Sequence, residues 1–204
     1  MITQAIMDRL AGIDGKIGIS YIDLEEEKEL FFGNSRVFQG SGAIMLMALV
    51  ECFKQMEEGK IKEDDLYRIH KDDCIQADDP SYGVLRFLHD GVKLTISDLY
   101  NLMSTVSDNM AFNKLVDILG KENIQKTFHE LGYRDMKLNR KIDEEAAMKK
   151  GIQNYISVPE MAAIFYRIYR GQMISEEASR KMLSLLKQHQ RTSMIPYIFK
   201  VSVS

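Results

Sequence analysis

Apolar and polar positions alternate with two different periods along this 204-residue chain, strand-like near both ends and helical in between. From Ala43 to Phe53, "AIMLMALVECF", nearly every residue is apolar or small, which predicts a helix buried on all sides. Its polar exit, "KQMEEGK", reaches solvent near Gly59, and Gly40, Ser41 and Gly42 stand at its entrance. Upstream, Ile6, Met7 and Leu10 predict a short amphipathic helix from Thr3 to Leu10, closed by Gly12. "GKIGISYIDLEEEKELFFGN" predicts a hairpin: Ile17, Ile19 and Tyr21 alternate, Glu25 to Lys28 turn, and Leu30 to Phe32 return. So short a hairpin needs a covering element, and the buried helix is the expected one.

After a polar, acidic connector from Lys62 to Asp79, the chain becomes a punctuated series of helices. Thr95 and Asp98 form a capping-box pattern before "ISDLYNLMSTV", and Gly120 and Gly132 close the next two segments. Ser157 with Glu160 opens "EMAAIFYRIYR" before Gly171, and Ser175 caps "EEASRKMLSLLKQ". In "IFKVSVS" Phe199, Val201 and Val203 alternate with polar residues, a strand pattern able to pair with the N-terminal hairpin. The expected fold class is α/β (α+β), a helical region beside a small, incomplete antiparallel sheet built from both chain ends. A single domain spans 1–204, with 1–36 and 196–204 forming the sheet layer and 37–195 the helical region.

Composition narrows the functions. A chain with 45% hydrophobic and 28% charged residues folds, and its net charge of −3 comes from interspersed charges, which excludes a basic surface for nucleic acid. Cys52 in the apolar helix and Cys74 in the acidic connector make neither a disulfide framework nor a metal site. No stretch approaches the roughly 18 apolar residues of a membrane span, and "MITQAIMDRLAG" lacks the continuous apolar core of a signal peptide. As given, the chain reads as soluble and cytoplasmic; removal of a signal would make it extracytoplasmic.

The chemically informative stretch is "LMSTVSDNMAFNKLVDILG", with Ser107, Asp108 and Asn109 between two helices. All three side chains favour helix caps, so a purely structural role stands beside a functional one. The longer segment "YGVLRFLHDGVKLTISDLYNLMSTVSDNMAFNKLVDILG" resembles the region around the Ser-Asp-Asn motif of class A serine β-lactamases and their penicillin-binding relatives. The resemblance extends to the hairpin, to the Phe before the buried helix, and to "LNRKIDEEAAMKKGIQNYISVPEMA" and "LLKQHQRTSMIP", covering nearly the whole chain.

In that family the buried helix begins with a nucleophilic serine four residues after a phenylalanine, and a lysine follows three residues later. That spacing puts the amine on the hydroxyl's face of the helix, able to take its proton. Counted from Phe38, the two positions are Gly42 and Met45, neither of which can do this work. A frame shifted by one residue offers Ser41, but its partner is then Ile44. Gly42 also reads simply as an acceptable N-cap, and Ser41 as a polar residue at a helix start.

The resemblance further implies that Ser107 relays a proton to the leaving nitrogen, that Asn109 holds the substrate amide, and that Asp108 is structural. It places Ile142 where class A enzymes carry the glutamate that activates water for deacylation, with Asp143, Glu144 and Glu145 close behind as possible loop carboxylates. Such a cluster equally suits the start of a helix. The family's Lys-Thr-Gly strand motif is absent, and the chain stops where its lysine would come, so the resemblance implies a C-terminally truncated, catalytically degenerate member. An incomplete sheet leaves an edge through which a homodimer could form.

His70, His89, His129 and His189 stand at no metal-ligand spacing and read as surface or capping residues, and the methionines read as core filling. No cofactor or metal is implied. Three readings remain: an inactive β-lactamase-like protein that at most binds a β-lactam or peptidoglycan peptide, a weak serine hydrolase using Ser41 or Ser107, and an interaction module.

Overall fold

The structure, a computed structural model, describes residues 2–70 and 83–190. The expected C-terminal strand and Cys74 lie outside the described residues.

After helix α1 (Ile2–Leu10), strands β1 (Gly18–Ile22) and β2 (Glu29–Gly33) form the expected antiparallel hairpin, with Ile19 opposite Phe32 and Tyr21 opposite Leu30. Strand β3 (Val37–Gln39) and a 3-10 turn (Gly42–Ile44) lead into α2 (Met45–Glu57). Next come β4 (Leu66–Ile69), β5 (Val92–Thr95), α3 (Ile96–Val106), α4 (Asn109–Leu119) and α5 (Lys121–Glu130). The described chain ends with α6 (Glu145–Lys149), β6 (Tyr155–Ser157), α7 (Val158–Tyr169) and α8 (Glu176–Lys187). The strands form three separate antiparallel pairs, β1 with β2, β3 with β6, and β4 with β5.

Helix α2 explains its own sequence. Helices α3, α4, α5 and α8 pack around it, so every residue from Met45 to Phe53 is buried and no face is left for polar side chains. Each large apolar side chain so buried contributes about 1.5–3 kcal/mol. Of its buried polar groups, Gln55 donates from Nε2 to Glu51 Oε1 at 2.7 Å and to the Leu119 carbonyl at 2.8 Å. The cap of the 3-10 turn is Ser41 rather than Gly42, and it makes no side-chain capping bond. Gly40 has a different reason for its composition. Its N–H donates to the Asn154 carbonyl, and a Cβ there would lie 3.1 Å from the Ile156 side chain as β6 passes alongside.

Three details differ from the sequence expectations. The helix lying on the hairpin is α7, which packs against β1, because the faces of α2 are already taken by other helices. Glu27 in the hairpin turn ties the two together, accepting from Tyr166 Oη at 2.7 Å and Arg170 Nη2 at 3.0 Å. Ser157 precedes α7 without a side-chain capping bond, and Glu160 instead accepts from the backbone N–H groups of Arg134, Asp135 and Met136, satisfying a neighbouring turn. The "polar connector" carries β4, whose alternation of Leu66, Tyr67, Arg68 and Ile69 is too short to stand out from its charged flanks. The other caps form as read: Thr95 and Asp98 make a reciprocal capping box, Ser175 accepts from the Ala178 N–H, and Gly120 and Gly132 take positive φ.

Burial pushes the Cys52 thiol from 9.0 up to about 12, and burial likewise raises the phenols of Tyr100 and Tyr133. These groups hold their protons in the folded chain at pH values where the unfolded chain releases them. Stability is therefore expected to fall as pH rises through the window from about 9 to about 12, measured as the urea midpoint across that range. Native Cys52 is expected to resist iodoacetamide and to react once the chain is unfolded, as read by peptide mapping.

Candidate functional site

Helix α3 ends at Ser107, whose φ of 57° and ψ of 46° place it in the left-handed region at a cost of about 1–2 kcal/mol. This turn lets Asp108 cap α4. Asp108 is 1% exposed, and its carboxylate accepts four backbone N–H groups: Oδ1 from Met110 and Ala111, both at 3.0 Å, and Oδ2 from Val84 at 2.6 Å and Leu85 at 2.9 Å. One side chain thus joins the start of α4 to the loop entering β5. Gly83 is part of the same arrangement, because a Cβ on it would lie 2.3 Å from the Asp108 carboxylate, and its φ is +125°. The sequence carries no local sign of this requirement at Gly83.

Asn109 donates from Nδ2 to Asp143 Oδ2 at 3.0 Å, so it faces the loop that follows Leu138. Asn113 holds that loop reciprocally, accepting from the Ile142 N–H at 2.9 Å and donating to the Ile142 carbonyl at 2.9 Å. Buried Asn154 accepts from the N–H groups of Asn139 and Arg140 and donates to the Arg140 carbonyl. The loop carboxylates are engaged inside this structure. Glu144 precedes α6 and accepts from the Lys141 N–H at 2.9 Å. Glu145 pairs with Lys149 at 2.9 Å, and the ammonium holds its carboxyl below the ordinary range.

A cavity of about 550 Å³ opens beside the entrance of α2. Gly42, Ala43, Met45, Leu46 and Leu49 form one wall and Met103, Ser104 and Ser107 of the α3 end another. Met161 and Phe165 of α7 close it from a third side, with Leu186 and His189 at the end of α8. Of the residues singled out in the sequence, the fold brings Gly42, Met45 and Ser107 together here. Ser41, Asn109, Glu144 and Glu145 do not line this cavity. Gly42 has open space around it, since a Cβ would meet nothing within 4 Å.

By its sequence context His189 is expected to be a surface or capping residue. His189 instead lines the cavity, and its Nδ1 bonds the Ser104 carbonyl at 2.8 Å while the Gln190 N–H bonds the Thr105 carbonyl at 2.9 Å. A histidine two residues beyond a helix end carries no local sign of such a role; only the packing of α8 on α3 puts it there. Among the described residues, no group of three or more His, Cys, Asp or Glu is disposed to hold a metal, and no helix is long and apolar enough to cross a membrane.

A family model described as "Beta-lactamase enzyme family" matches residues 1–203. The chain belongs to the β-lactamase enzyme family. Among solved structures, a β-lactamase from Sphaerobacter thermophilus is similar at a TM-score of 0.82 and 24% identity, covering 94% of this chain and 70% of that one. The structure of PBP-A is similar at a TM-score of 0.83 and 22% identity, over 96% of this chain and 71% of that one. A β-lactamase from Chitinophaga pinensis gives a TM-score of 0.83 at 18% identity, over 96% of this chain and 75% of that one. No curated protein matches in a search by sequence. These likenesses show a β-lactamase-type fold, helices beside small antiparallel sheets.

Within this β-lactamase-type fold the buried Asp108 carboxylate ties the start of α4 to the loop entering β5. Asp108→Ala leaves four donors without their acceptor and is expected to cost about 3–5 kcal/mol, measured by urea unfolding. Gly83→Ala is expected to destabilise as well, through the clash with that carboxylate and the backbone strain.

Proposed function

We propose that this member of the β-lactamase family is a non-acylating protein that holds its ligand reversibly. The observation that carries the reading is the pair Gly42 and Met45 on the cavity wall, where the resemblance expects a nucleophilic serine and its lysine. Acyl transfer needs a hydroxyl and a group to accept its proton. Gly42 offers only hydrogen at that point, and the Met45 thioether cannot take a proton. Ser107 lines the same cavity, but no lysine lines it among the described residues. In serine hydrolases that have been dissected, loss of the nucleophile costs on the order of a millionfold in turnover.

The loop carboxylates support the same reading. Glu144 is bonded to the backbone and Glu145 to Lys149, away from the cavity, so neither is free to activate water there. The ligand that family membership suggests first is a β-lactam or a cell-wall peptide; a PBP-A variant has been solved as an acyl-enzyme complex with penicillin G. In this chain such a molecule would be bound intact, with Ser107 as a hydrogen-bonding partner.

Intact-mass analysis after incubation with benzylpenicillin tests the reading. No covalent adduct is expected, and nitrocefin is expected to open no faster than in the presence of an unrelated protein. An adduct that survives denaturation and maps to Ser41 or Ser107 would overturn the proposal. Gly42→Ser is expected to fold with a stability change within about 0.5 kcal/mol, because the added atoms enter open space.

A further inference from the structure

Among the described residues, no Lys, Arg, Asp or Glu lines the cavity beside the entrance of α2. Three thioethers, those of Met45, Met103 and Met161, stand with Phe165 around a volume of about 550 Å³. That volume lies within the range of about 300–1,000 Å³ usual for small-molecule sites. Methionine walls are polarisable and adjust to irregular apolar shapes. An ionised carboxylate entering such walls gives up its hydration with no countercharge to replace it.

Ser104, Ser107 and His189 are the polar residues among the described lining, and the donor and acceptor sense of His189 is fixed. A carbonyl oxygen only accepts, so the contact between His189 Nδ1 and the Ser104 carbonyl requires the proton to sit on Nδ1. In the neutral ring, Nε2 is then a hydrogen-bond acceptor, and it makes no hydrogen bond among the described residues. Ser107 lines the same cavity, and its hydroxyl can serve as a second partner.

We propose that the cavity binds a neutral, mostly apolar small molecule whose one hydroxyl or amide N–H donates to Nε2 of His189. The inference rests on the reading that the cavity holds its ligand without cutting it. Recognition divides into two parts: the methionines and Phe165 take the apolar body, and His189 sets its orientation. Met45 carries the selectivity, since a thioether at this point tolerates a neutral ligand where an ammonium would attract an anion.

Calorimetric titration of the full chain at about pH 8 compares 1-octanol, its methyl ether, and octanoate. Octanol is expected to bind and to raise the melting temperature as its concentration rises. The ether, which lacks the donor, and the anionic octanoate are each expected to bind about tenfold more weakly. His189→Phe keeps a ring and removes the acceptor, and is expected to erase the preference of octanol over its ether. Met45→Lys is expected to reverse the preference between octanol and octanoate. Equal binding of the three probes to the native chain would overturn the proposal, as would an unchanged preference in His189→Phe. Failure of octanol to bind would overturn it too. A penicillin adduct would defeat the non-acylating reading, whereas a preference for octanoate without any adduct would defeat only this one.

Discussion

The burial of α2 on every side is the constraint on which the rest of the molecule depends. A helix with nine successive buried residues cannot be left against water when whole domains are stable by only about 5–15 kcal/mol. Helices α3, α4, α5 and α8 are therefore held around it, and their positions follow from covering it. The entrance of α2 is where this cover is incomplete. There Gly42 and Ala43 are exposed, and the cavity forms between the α2 start, the end of α3, α7 and the end of α8.

Around that core the loops are held by buried or half-buried polar side chains that satisfy backbone groups rather than one another. Asp108, Asn113, Asn154 and Glu160 each bind main-chain atoms of a distant segment. A buried donor without an acceptor costs about 1–3 kcal/mol, so each of these residues fixes a loop that has little apolar surface of its own. This polar framework uses no side-chain hydrogen bond from Gly42 or Met45, although Met45 is packed in the core. Both lie on the cavity wall, and neither carries a hydrogen bond from its side chain. Architecture and site chemistry are separable in such a scaffold, because the fold is held by other residues than those at a cavity mouth.

The consequence for the cavity is a change of solvent character. With a thioether at Met45 and the loop carboxylates engaged elsewhere, the described walls are neutral and largely apolar, and polar recognition falls to Ser107 and His189. An imidazole fixed through Nδ1 by a backbone carbonyl is a rigid, directional partner, and it is supplied by α8 rather than by any residue of the Ser-Asp-Asn turn.

Much of this was legible in the sequence, because local rules carry it. The all-apolar run of α2 announced a central helix; the Thr95–Asp98 box, the Ser175 cap and the glycines at 120 and 132 marked helix limits through hydrogen bonds made within a few residues. Helix geometry relates Met45 to Gly42, three residues before it, whereas only the family resemblance linked Ser107, far along the chain, to the same site. Tertiary structure alone decided which helix covers the hairpin, that Glu160 serves the turn at 134–136 instead of its own helix, that Gly83 must lack a side chain for Asp108, and that His189 enters the cavity. Each of these depends on contacts between residues far apart in the chain. No periodicity or cap encodes such a contact locally; it is set by which surfaces remain to be buried once α2 has been enclosed.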